Sequence, residues 1–310
     1  MTLYYVVVQG LRPGSVTETG GEVQIVPRHW GVGVWDWAFL ATEHELGLPF
    51  QVADVMARSV NLELCVNAVD RDDAVAMLAA LKLCLAGLGV HPFAAPMIST
   101  HSINDFSNIK GSAQDPSDAR YERAKALATK AETVITWPIP GSPVVARPMM
   151  GKNELDSETL RIAVTRAKLW RSMAEAERRL RVIENAAVSA AEIANLGQGI
   201  LQMWTGLESL FPTVHAELSF RLALYLAQLN ASNGDRLSAF HEARDAYSVR
   251  SKIAHGHDMS EPTERNRHAW SQAWSLLHRT IGSLIDRGCL PTENELVEEL
   301  LTPAGAMENE

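Results

Sequence analysis

An α+β N-terminal half followed by an all-helical C-terminal half is the fold class predicted for this 310-residue chain. Three observations predict it. Short β-branched and aromatic runs alternate with helical signals up to about residue 90. Pro138, Pro140, Pro143 and Pro148 then punctuate a stretch that cannot be regular helix. Beyond it, apolar residues recur at spacings of three and four. The length suggests about two domains, each able to bury a core. The boundary is placed near 150, giving an α+β domain over 1–150 and an all-α domain over 151–301.

The elements follow in order. Tyr4-Tyr5-Val6-Val7-Val8 reads as a strand, ended by Gly10 and Pro13. Val23-Gln24-Ile25-Val26 and Val32-Gly33-Val34-Trp35 are further short strand candidates. Asn61–Val66 alternates and then meets Asp70-Arg71-Asp72-Asp73, an acidic cluster suited to a helix N-terminus. The helix it opens carries Ala76, Leu78, Leu81, Leu83 and Leu85, and Gly87 and Gly89 close it. Residues 92–118, rich in Pro, Ser, Asn and Asp, read as a long surface loop, and a short helix is expected around Tyr121–Thr133.

In the second half Ser157 caps a long helix expected to run to about Ala194. Leu196, Ile200, Met203, Trp204, Leu207, Leu210 and Phe211 trace one apolar stripe, and Pro212 stops it. A third helix carries Leu218, Leu222, Tyr225, Leu226 and Leu229 and ends at Asn233-Gly234. A fourth runs from about Asp235 to His255, with Gly256 as its C-terminal cap. A fifth starts after Ser260 and Pro262 and carries Trp270, Trp274, Leu277, Ile281 and Leu284. The tail from Thr302 onward is expected to fray.

Composition narrows the function classes. Hydrophobic residues at 46% and charged residues at 21% are ordinary for a soluble globular protein. A formal net charge of -9 argues against a broad grip on nucleic acid, which counterion release drives for basic proteins. Any nucleic-acid site must therefore be local. Cys65, Cys84 and Cys289 are odd in number and far apart, so they read as buried thiols of a reducing compartment. The N-terminus shows no basic n-region or cleavage site, and no apolar run approaches the ~20 residues of a membrane span. A cytoplasmic protein is the expectation.

The segment Tyr247-Ser-Val-Arg250-Ser251-Lys-Ile-Ala-His255-Gly256 carries the chemistry. Arginine is a permanent cation suited to phosphate. Histidine moves protons near neutral pH. On a helix, Phe240, Ala243, Tyr247 and Ala254 share a side and Arg250 falls among them, where a charge needs a partner. His255 follows one and a half turns later, a rise of about 7–8 Å. The spacing alone also arises by chance, and a cation near a helix C-terminus is favourable in itself.

Tyr-x-x-Arg-Ser-x-Ile-x-His-Gly resembles the signature of the Apea-like HEPN domain family. Two further stretches carry the resemblance: Trp204-Thr-Gly-Leu207-Glu208-Ser-Leu210-Phe211 and the pair Glu217 and Arg221. It covers roughly residues 200–290 and leaves 1–150 unassigned. The resemblance implies a compact helical bundle that pairs with itself, two Arg-x4-6-His helices forming one composite cleft. It implies a metal-independent endoribonuclease of toxin, antiphage or stress systems, acting on RNA such as tRNA as a homodimer or higher even oligomer, with no cofactor. Arg250 and His255 are the expected catalytic residues, with Ser251, Tyr247 and Glu208 in support. A trigger or inhibitor protein at the N-terminal domain is the further expected partner. Many catalytic relatives have Asn, Asp or His directly after the arginine, where this chain has Ser251. The alternative expectation is a noncatalytic HEPN protein that binds nucleotide, RNA or a partner.

Roles within the motif follow from residue type. Tyr247 either hydrogen-bonds a phosphate or packs; packing is favoured. Glu208 either holds the motif arginine or makes an internal salt bridge with Arg221 or another cation. Glu217 and Arg221 are i,i+4 partners and read as a structural pair. Lys252 reads as a surface charge. His255-Gly-His257 lacks the further ligands of a metal site. Gly31-Val-Gly33 lacks the third glycine of a dinucleotide loop. Trp30, Trp35 and Trp37 read as core, the other reading being a stacking surface for bases. Ser99, His101 and Asp105 read as loop residues rather than a hydrolase triad.

Overall fold

The computed structural model describes residues 1–15, 21–139, 141–142, 151–214, 217–231 and 235–302. The expected breaks at Pro140, Pro143, Pro148 and Asn233-Gly234, and the tail beyond Thr302, lie outside them. The chain is α+β. It divides into two compact units, Met1–Val164 and Thr165–Glu310.

The first unit is built on a mixed six-stranded sheet. Its elements in chain order are β1 (Thr2–Val8), β2 (Arg12–Pro13), β3 (Val23–Pro27), α1 (Val34–Glu43), β4 (Glu45–Leu46), α2 (Phe50–Ser59), β5 (Leu62–Ala68), α3 (Arg71–Gly87), β6 (Met97–Ser99), α4 (Ile109–Ser112), α5 (Tyr121–Ala128), β7 (Ile135–Pro138) and β8 (Glu154–Leu155). The sheet order is β3-β5-β1-β6-β7-β4; only β7 and β4 pair in parallel. Strand β1 is central, pairing antiparallel with β5 over its whole length and with β6 at Tyr5 and Val6. Val6, Val7 and Val8 are all fully buried because both faces are covered. On the Val7 face, Trp37, Leu40, Met56, Met97 and Phe106 form the core, and Trp37 meets Phe106 edge-on at 5.7 Å. Helix α3 opens where the acidic cluster predicts: the Asp70 carboxylate accepts the Asp73 N–H at 2.8 Å.

Three expectations for this half are corrected. The strand read at Val32–Trp35 is the start of α1, because the Asp36 carboxylate accepts the Gly33 N–H at 2.8 Å and opens a helix there. The stretch 92–118 is no surface loop: β6 lies within it, and Ile98, Ser99, Ile103 and Phe106 are buried. The helix expected to Thr133 stops at Ala128, followed by Lys130 with φ +58°. The chain also stays in the first unit past residue 150. There β8 pairs with β2, and Lys152 N–H donates to the Gly89 carbonyl at 2.8 Å.

The second unit is helical throughout its described residues. Helix α6 (Ser157–Ala176) reaches into it; α7 (Arg178–Glu192), α8 (Leu196–Ser209), α9 (Leu218–Leu229), α10 (Arg236–Ala254), α11 (Glu264–Arg287) and α12 (Glu293–Leu301) complete it. The single helix expected over 157–194 is two. Glu177 leaves helical geometry at φ -128°, ψ 104°, and its carboxylate takes the Arg179 backbone N–H at 3.2 Å, starting α7. All seven residues of the Leu196–Phe211 stripe are buried, at the centre of the unit. Helices α7 and α8 approach closely at Gly206, where a Cβ would lie 2.8 Å from Ala186 Cβ. Among the described residues no helix is long and apolar enough to cross a membrane.

Candidate functional site

Helix α10 begins at Asp235, whose carboxylate accepts the Leu237 and Ser238 N–H groups at 3.0 and 3.3 Å. It ends where the sequence places its cap. Gly256 adopts φ +93°, its N–H reaches the Ile253 carbonyl at 3.0 Å, and the His257 N–H reaches the Lys252 carbonyl at 3.0 Å. That pair of bonds is a Schellman motif, which needs a residue at ease in the left-handed region. It fixes His255 as the last residue before the reversal, with its side chain exposed.

Arg250 sits about four-fifths of the way along the same helix, one turn before its end. Its Nη2 donates to Glu208 Oε2 at 3.1 Å. Its Nε lies 3.0 Å from Glu208 Oε1, a charge contact without hydrogen-bond alignment. Both side chains are about one-quarter exposed, so the pair is partly desolvated. The guanidinium turns back over Tyr247, its Cζ 5.5 Å from the ring centroid, as helical side chains lean toward the N-terminus. Tyr247 is nearly buried and meets Trp204 edge-on at 5.1 Å. Burial pushes the Tyr247 hydroxyl pKa up, partly offset by the Arg250 charge.

The fold therefore brings together Trp204, Glu208, Tyr247 and Arg250. On α8, Trp204 and Leu207 point into the core and Glu208 stands at the stripe's edge, facing α10. Glu208 takes Arg250 rather than Arg221. Tyr247 packs, as expected. Among the described residues His255 makes no hydrogen bond, ion pair or ring contact with this group: it is exposed at the C-cap, while Arg250 leans back toward Tyr247. Ser251 is half-buried on α10 and Lys252 is exposed. Ala254 is exposed, not part of the apolar side with Phe240, Ala243 and Tyr247, because the helix ends there.

The expected Glu217–Arg221 ion pair is not made among the described residues. Both residues are exposed, and their link is the Arg221 N–H donating to the Glu217 carbonyl at 3.0 Å. Glu217 is the N-cap of α9, with φ +51°, so its side chain does not stand on the helical face that would reach Arg221.

The motifs set aside resolve by their partners. His101 contacts Thr100 Oγ1 at 2.9 Å and Glu132 at 3.2 Å, and Asp105 binds Arg123 at 2.9 Å, so Ser99, His101 and Asp105 form no triad. Trp30 and Trp37 are core, but Trp35 is 84% exposed. No group of three or more His, Cys, Asp or Glu side chains able to hold a metal occurs among the described residues. Cys65 and Cys84 are buried as expected, whereas Cys289 is exposed.

One chemically distinctive group escaped the sequence reading. Glu63, in β5, is fully buried. It accepts hydrogen bonds from Ser102 Oγ at 2.5 Å and the Ile103 N–H at 3.0 Å. Burial pushes its pKa up to about 7 despite those bonds. The signal was an acid inside the apolar run Leu62-Glu63-Leu64-Cys65-Val66.

Comparison with family models, curated proteins and solved structures finds no match to this chain. The resemblance to HEPN domains rests on the three sequence stretches alone.

Proposed function

We propose that the helical unit carries half of a metal-independent endoribonuclease site, completed by a second copy of the chain. The observation that supports this most is the pairing of Arg250 with Glu208. The arginine sits at an apolar helix edge, oriented by a carboxylate and an aromatic ring, and Nη1 donates to neither carboxylate oxygen. A rigid cap one and a half turns on leaves the imidazole of His255 open to solvent. A cation fixed in place and an exposed proton carrier are the groups that RNA transesterification requires.

In the proposed reaction the ribose 2′-oxygen attacks the adjacent phosphorus. One His255 takes the 2′-hydroxyl proton. The bond to the 5′-oxygen breaks, and that oxygen takes a proton from the protonated His255 of the second copy. Arg250 neutralises the charge that builds on the phosphoryl oxygens. The products are a 2′,3′-cyclic phosphate and a 5′-hydroxyl; DNA, lacking the 2′-hydroxyl, is not a substrate. The biological setting proposed is defence or a toxin system.

A second reading is favoured by the same ion pair. With Glu208 engaging Arg250, the site can serve as a binding surface for nucleotide, RNA or a partner without turnover. The two readings separate on RNA incubated in EDTA. Cleavage lost in both Arg250→Ala and His255→Ala supports the nuclease. RNA retained intact by a folded dimer, but bound in an Arg250-dependent way, supports the noncatalytic reading.

A further inference from the structure

Trp35 has no role in the core, and its 84% exposure sets it apart from Trp30 and Trp37. An indole face left in water is available to stack on a planar ligand. Trp35 lines an open cavity of about 450 Å³ in the first unit, with Phe39 from the same helix and Asn108, Ile109 and Lys110 from the start of α4. That volume lies in the range of small-molecule pockets, roughly 300–1,000 Å³.

The polar groups around it are sorted by sign. Lys110 Nζ lies 4.9 Å from the Phe39 ring centroid, held at the cavity wall by a cation–π contact. Among the described residues no carboxylate oxygen comes within 4.0 Å of it; Glu43, which pairs with Lys130, feels its charge at longer range. The acid in the lining, Asp36, is committed: one oxygen accepts the Gly33 N–H at 2.8 Å and the other the Asn108 N–H at 2.8 Å. Those bonds tie α1 to the α4 turn and hold the two walls in register. Asn108 takes a left-handed conformation at φ +51°. Its side chain lies where a Cβ on residue 111 would fall, within 2.4–2.7 Å, so a larger residue there would turn the Asn108 amide.

We infer that this groove binds a nucleoside monophosphate, its base stacked on Trp35 and its phosphate on Lys110. A planar aromatic ligand matches the exposed indole face, and an anionic group matches Lys110, which makes no close ion pair. The cavity is concave and of small-molecule size, which favours a nucleotide over a flat protein surface. The site lies in the first unit and does not rest on the nuclease reading.

The test is direct binding to the full chain. The four ribonucleoside 5′-monophosphates, the matching nucleosides and inorganic phosphate are titrated by calorimetry against wild type, Trp35→Ala and Lys110→Ala. Trp35 is exposed, so its replacement leaves the core intact; circular dichroism checks this. At least one monophosphate is expected to bind in the micromolar to low-millimolar range, with Trp35→Ala weakening it roughly tenfold or more. Lys110→Ala is expected to reduce the monophosphate to the affinity of its nucleoside. His255→Ala should leave this binding unchanged. The inference is overturned if no monophosphate binds at about 5 mM. It is equally overturned if Trp35→Ala binds as well as wild type, or if only a protein or a long RNA occupies the groove.

Discussion

Arg250 is tolerated on an inward-leaning helix face because Glu208 meets it. Removing the acid leaves a partly buried cation with a ring and no counter-charge. Glu208→Ala is therefore expected to lower stability by about 1–3 kcal/mol, read as a shift of the urea midpoint. The double variant Glu208→Ala/Arg250→Met should recover part of that loss, since it removes the orphaned charge as well; no recovery would show the two residues to be energetically independent. Glu63 poses the opposite problem, an acid buried among apolar strands. Its folded-state pKa, about 7, lies above its ordinary value of 4.5. Below pH 4.5 the carboxyl is neutral in both states. Between 4.5 and 7 the unfolded chain ionises first, so this group's contribution to stability is lost as pH rises through that window. Glu63→Gln keeps a neutral partner for Ser102 and Ile103. Its melting temperature, relative to wild type, is expected to rise from pH 4.5 to 7 and then level off; parallel curves would refute this. The acid was visible in the sequence, but its partners were not, since Ser102 and Ile103 come from a stretch about forty residues away that the apolar pattern does not mark.

At the scale of elements, legibility followed periodicity and caps. Strands β1, β3 and β5 and helix α3 stand where β-branched runs and the Asp70 cap put them. Helices α8 to α11 follow spacings of three and four. Helix α10 was read end to end, because Asp235 and Gly256 both mark their positions by chemistry. Reading failed where a boundary uses an unmarked residue. Glu177 is not a preferred cap, yet it starts α7. Strand β6 is too short to show alternation, and Gly33 looked like part of a strand until Asp36 closed the turn behind it. The approach of α7 to α8 gives a measurable consequence. Gly206→Ala would gain roughly 1 kcal/mol of helix propensity, but the new Cβ would lie 2.8 Å from Ala186 Cβ and 3.2 Å from the Ile183 backbone. Overpacking costs typically 1–3 kcal/mol, so a net loss of stability is expected in chemical denaturation; a stabilised variant would mean the helices separate at little cost.

For the whole molecule, the two compact units divide the work proposed for the chain. The first presents an aromatic and cationic groove on a sheet scaffold; the second presents an arginine and a histidine on one helix. The charge of -9 fits a protein that engages nucleic acid locally rather than along its surface. The candidate site was legible as residue types and as a helix end, and Glu208 as a partner of the motif arginine was one of the two roles weighed. The direction in which Arg250 leans was not legible, because side-chain orientation depends on what α8 offers it. One copy holds one exposed imidazole from this motif, and the proposed chemistry uses two. The central claim is tested most directly by incubating the purified full chain with mixed tRNA and messenger RNA in EDTA, beside His255→Ala and Arg250→Ala. The account predicts wild-type cleavage leaving 2′,3′-cyclic phosphate ends, with both variants reduced at least about a hundredfold. Cleavage that persists undiminished in His255→Ala, or wild-type protein that is dimeric and leaves every RNA intact, would contradict it.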